Sequence, residues 1–148
     1  MEARAGAMVG RRDGGAHRTG GSCLFGNCQK AIAAPANPEW EEKTKGKTEF
    51  IVQVMAPRLG KATAPEPIVP TGKLTQEQVR ATFEKQRLEI EKFAARTDVA
   101  LKEHTAEHPF PIFGTLNAYQ WLIYVPLHTM RHDKQIAEVK ATAGYPNH

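Results

Sequence analysis

The last third of the chain constrains the fold most. Between Leu116 and Lys140 the residues Trp121, Val125, His128, His132, Ile136 and Val139 recur at steps of 4, 3, 4, 4 and 3. An α-helix brings such positions onto one face, because its 3.6-residue repeat places residues three and four apart above one another. A helix carrying one such stripe must bury it against other elements. Thr115, just after Gly114, is the expected N-cap. Pro126 lies inside the run and takes away the bond to the Leu122 carbonyl. A kink that re-aims the following side chains and a defect offset by packing both remain open.

A second amphipathic helix starts at Thr75, where Gln78 completes a capping-box signature. Its stripe is Val79, Phe83, Ile90 and Phe93, and it is expected to run to about Leu101, before His108-Pro109 and Pro111 interrupt. Further upstream, Cys23 to Ala34 reads as a short helix closed by Pro35 and Pro38. Trp40 to Met55 is ambiguous, although Phe50, Ile51, Val54 and Met55 form an apolar patch at helical spacing. Pro57, Pro65, Pro67 and Pro70 mark a long surface connection. The expected class is all-α, with the two long helices as an antiparallel pair.

The residues before this pattern differ in kind. Met1 to Ser22 holds six of the chain's 12 glycines, and four arginines against Glu2 and Asp13 give it +2, half of the total charge of +4. No apolar segment of signal-peptide length follows, and the glycines spoil an amphipathic transit helix. The expected organisation is a disordered Gly/Arg-rich stretch over 1–22 and a helical domain over 23–144. Once that stretch is set aside the charge is nearer neutral, and the mixed-sign helices argue against nucleic acid as a partner. No run of about 18 apolar residues points to a membrane. Cys23 and Cys28 match no zinc-ribbon or redox spacing and read as unpaired thiols of a reducing compartment, which places the protein in the cytoplasm.

The chemistry is concentrated in His128 and His132, which stand at i, i+4 on the inward stripe. That spacing suits one divalent metal, and neutral imidazole takes zinc, nickel, copper or iron. The bland account is a pair of core histidines hydrogen-bonded to carbonyls or water. His104 and His108 share the i, i+4 spacing but carry no apolar stripe and end on Pro109, so a solvated turn is expected there. His108 is a fixed turn residue or a group behind the ligands, not a ligand itself.

The stretch His108-Pro109-Phe110-Pro111-Ile112-Phe113-Gly114, then Gln120-Trp121, then His128-Thr129-Met130-Arg131-His132-Asp133-Lys134-Gln135-Ile136, resembles the DinB-like (DinB/YfiT-like) superfamily. The likeness extends back to about Leu24. It implies a four-helix bundle with a divalent metal held by three histidines, two of them His128 and His132 and the third on the second helix. Relatives of this kind include metal-dependent, thiol-linked transferases and an isomerase. Here the first helix and the start of the second are missing from the pattern. His17 falls near the place of the third ligand, in Gly-Gly-Ala-His-Arg-Thr-Gly-Gly. The expectation is that residues before about Cys23 reflect a misassigned start or a reading-frame slip.

The sequence therefore leads to a metal-binding helical protein, a metal-dependent hydrolase or thiol transferase acting on a small molecule that no residue selects. No catalytic acid or base is assignable. An N-terminally incomplete bundle would leave inner faces to be covered by a partner, for which a homodimer is the simplest case. The rival is a truncated, non-catalytic helical module that binds no metal and works through exposed apolar faces.

Overall fold

The computed structural model describes residues 21–57 and 72–146. His17, most of the Gly/Arg-rich stretch and most of the proline-rich connection lie outside the described residues. The described part is mostly helical. Helix α1 covers 21–33, α2 Trp40–Thr44, α3 Lys47–Met55, α4 Gln76–Arg96 and α5 Ala118–Lys140. Two short strands, β1 Thr105–Glu107 and β2 Thr115–Asn117, pair antiparallel with Ala106 opposite Leu116. The all-α expectation is thus corrected by a small hairpin.

The hairpin exists because its loop closes on itself. The N–H of His108 donates to the Gly114 carbonyl at 2.8 Å, and Gly114 takes a φ of 56° that residues with a Cβ seldom adopt. The same closure moves the start of α5. Thr115 is not the N-cap, since its backbone belongs to β2 and its hydroxyl donates to Glu107 across the ladder. Asn117 caps instead: its Oδ1 accepts the Gln120 N–H at 2.8 Å, and Gln120 Oε1 accepts the Asn117 N–H at 3.1 Å.

At α4 the capping box between Thr75 and Gln78 forms as the sequence indicates. The helix ends at Arg96, short of Leu101. Thr97 is extended, with ψ 132°, and its hydroxyl accepts the Val99 N–H, a local bond that competes with helix continuation. The Trp40–Met55 segment resolves into two helices separated by Gly46, whose φ is 71°. Helix α1 already includes Gly21 and Ser22, and the Ser22 hydroxyl accepts a bond from the Gln86 amide.

The core joins Leu24, Cys28 and Ala31 of α1 with Ile51 and Met55 of α3, Ile90 of α4, Leu116 of β2, and Trp121 and Val125 of α5. Helix α5 packs chiefly on α3, not on α4 as the pairing of long helices would have it. Helix α4 is tied in through Phe25–Phe93 edge contact and through Arg87, which donates to the Thr129 hydroxyl. Helix α5 runs without interruption through Pro126, which is exposed. No helix among the described residues is long and apolar enough to cross a membrane.

Candidate functional site

The first half of the α5 stripe is fully buried at Trp121 and Val125, and it becomes half-buried at His128, His132, Ile136 and Val139. The histidine pair therefore sits where the stripe emerges from the core. Its rings meet edge to face, with centroids 4.5 Å apart and planes at 76°. The two Nε2 atoms face each other at 3.0 Å. The other nitrogen of His132, Nδ1, lies 3.1 Å from the Gln135 Oε1.

That geometry fits two neighbouring positions of one metal ion. Nitrogens 3.0 Å apart, each about 2.0–2.1 Å from a common ion, subtend roughly 90–97° at it, close to an octahedral edge. Among the described residues no cluster of three or more His, Cys, Asp or Glu stands ready to complete a site. The residues present thus supply two coordination positions, and His17 lies outside the described residues.

Behind the pair runs a column of rings. Tyr124 stacks on His128 at 6.1 Å with planes 21° apart, and Tyr124 in turn touches His108 at 5.6 Å. Burial pushes the Tyr124 hydroxyl up to about 12, with the nearby Arg131 cation opposing the shift. Tyr124 is therefore a neutral phenol at neutral pH and no base.

The solvated turn expected at His104 and His108 is not what forms. His108 is only 8% exposed, enclosed by Phe110, Phe113, Trp121 and Tyr124. Its Nδ1 accepts the Phe110 N–H at 2.9 Å, so the ring is neutral, and burial lowers its pKa to about 4. His104 is half-buried and bonds through Nδ1 to the Ala34 carbonyl at the end of α1, at 2.8 Å. Neither belongs to the pair on α5. Part of the signal for this burial was present in the neighbouring Phe110 and Phe113, but the aromatic partner Trp121 comes from a different element.

Arg87 reaches across from α4 to Thr129, one residue from His128. Burial lowers the pKa of its guanidinium, while the charges of Asp133 and Glu91 oppose this. Its position was not legible in the sequence, where it is one of many charges on a solvated-looking helix. Cys23 is exposed and Cys28 buried, and both are free; burial pushes the Cys28 thiol up to about 11, away from a reactive thiolate.

A cleft lies away from the histidine pair. It is open, has a volume of about 970 Å³ and is bordered by α2, the Gly46 turn and the start of α5. At a 1.5 Å rise per residue, Gln120 on its rim is about 12 Å along the helix from His128. The polar atoms that Asn117 and Gln120 bring to it are already engaged with each other and with Thr44. The histidine pair, not the cleft, is the chemical feature. Comparisons of the chain with protein-family models, with curated proteins and with solved structures found no match.

Proposed function

We propose that the chain is a DinB-like, divalent-metal-binding helical protein in which His128 and His132 hold the ion. The observation that carries this reading is the 3.0 Å approach of the two Nε2 atoms on one helix face. Once His128 gives up its Nε2 proton, two neutral rings so placed would turn adjacent lone pairs toward one zinc, nickel or similar ion. An ion with an open position would lower the pKa of bound water or of a thiol, the chemistry of a metal-dependent hydrolase or thiol transferase on a small molecule. The chain's own residues supply the rest. Tyr124, a neutral phenol, stacks its ring on His128, and Arg87 brings a positive charge to Thr129, one residue along the chain. The test is metal content of the purified protein against a His128→Ala, His132→Ala double variant. Stoichiometric metal, lost in the variant, is the expected result; negligible metal in both overturns the reading.

The rival is a non-catalytic helical module, supported by large apolar side chains left in solvent. Ile112 is 69% exposed, Leu88 51% and Met130 48%. Gel filtration reads self-association through these side chains, which Ile112→Ser or Met130→Ser would abolish, and the metal assay above separates the module from the leading reading.

A further inference from the structure

We infer that Gln135 is a positioning residue that sets the tautomer of His132, so that its Nε2 lone pair points toward His128 and any cation between the rings. The three side chains stand at i, i+4 and i+7 on α5 and share one face. The functional weight of this inference rests on the metal reading above; its structural content does not.

A carboxamide oxygen only accepts hydrogen bonds, and a neutral imidazole has one N–H. With Gln135 Oε1 at 3.1 Å from His132 Nδ1, the proton of His132 is on Nδ1. Nε2 then carries a lone pair, and it is this atom that lies 3.0 Å from Nε2 of His128. Two lone pairs cannot face each other at that distance, so in the absence of a cation His128 donates its Nε2–H to His132. The chain of bonds runs from His128 through His132 to Gln135, with every donor pointing the same way.

This arrangement makes the two ligands unequal. A free histidine side chain in water prefers the proton on Nε2, the wrong tautomer for coordination through that atom. Gln135 reverses the preference at His132 before any ion arrives. Only His128 has to move a proton off Nε2 when a cation enters. An outer partner of this kind fixes ring orientation as well as tautomer, and its loss typically weakens metal affinity about 10- to 100-fold.

The experiment reads tautomers directly, by long-range proton–nitrogen NMR of the metal-free full chain at pH 8, in the wild type, Gln135→Leu and Gln135→Glu. His132 is expected as Nδ1–H in the wild type and in Gln135→Glu, which keeps an acceptor, and shifted toward Nε2–H in Gln135→Leu. Zinc affinity, read by competition with a chelating dye, is expected to fall about 10- to 100-fold in Gln135→Leu and to be retained in Gln135→Glu. Wild-type His132 found as Nε2–H, or a tautomer unchanged by Gln135→Leu, overturns the inference. If the wild type takes up no zinc, the metal reading falls, and the tautomer comparison still decides the role of Gln135.

Discussion

The imidazole of His108 lies parallel to the indole of Trp121, with ring centroids 4.9 Å apart and planes within 8°. This stack links the hairpin loop to the largest fully buried side chain of α5, and it requires a neutral imidazole, because Nδ1 accepts the Phe110 N–H.

Protonation of His108 should therefore loosen the fold. Its pKa is about 4 in the folded chain and about 6.5 when unfolded, so the unfolded state binds more protons between those values. The stabilisation is complete above about pH 6.5 and is lost as the pH falls toward 4, by an amount on the order of 2–3 kcal/mol. Thermal melts from pH 7 to pH 4 should show a steeper loss in the wild type than in His108→Phe. Parallel pH profiles would contradict the assignment.

Asn117 and Thr115 should respond very differently to truncation. Asn117 caps α5 and also donates to the Thr44 hydroxyl at 3.1 Å, inside a buried network that includes Gln120. Asn117→Ala removes a cap worth about 0.5–2 kcal/mol and leaves buried polar atoms unmatched at about 1–3 kcal/mol more. Thr115→Ala loses only a bond to the exposed Glu107 and should stay within about 1 kcal/mol of wild type. Urea denaturation of the two variants checks the ranking, and an equal effect would place the cap wrongly.

Gly46 separates α2 from α3 with a φ of 71°, and a Cβ built there meets no atom within 4 Å. The cost of Gly46→Ala is thus a backbone cost alone, about 1–2 kcal/mol, with no steric addition. Gly26, which also has open space around its Cβ but lies in helical backbone, should gain from the same change by up to about 1 kcal/mol. Opposite signs in calorimetry are the expected outcome.

Core truncation should discriminate by burial. Leu116→Ala and Ile51→Ala, at residues with 0% exposure, are expected to cost about 2–5 kcal/mol each. Ile112→Ala, at 69% exposure, should fall within about 0.5 kcal/mol of wild type. For a chain of this size each kcal/mol shifts the melting temperature by about 2–4 °C.

Zinc itself should act as a stabiliser if the histidine pair holds it. At a free concentration 100 times the dissociation constant the gain is about 2.7 kcal/mol, and chelation should reverse it. The His128→Ala, His132→Ala variant should show no zinc-dependent rise in melting temperature. A rise of equal size in that variant would move the binding elsewhere.

The helices were written locally. The Thr75–Gln78 box, the 4-3-4 stripe of α5, the i, i+4 histidines and the apolar patch from Phe50 to Met55 are all relations within a few residues, and periodicity reports them. What periodicity lacks is any record of the partner. That α5 lies chiefly on α3, that Thr115 joins a ladder with Glu107 and leaves the cap to Asn117, and that His108 meets Trp121 are contacts between separate elements. The sequence by itself determined the bodies of the long helices and that two imidazoles share a face, while the start of α5 was set by contact with another segment. Only the tertiary structure decided which faces meet, how deeply His108 is buried and where the side chain of Gln135 lies. Burial and hydrogen-bond direction depend on atoms brought together by packing, and a one-dimensional pattern does not contain them.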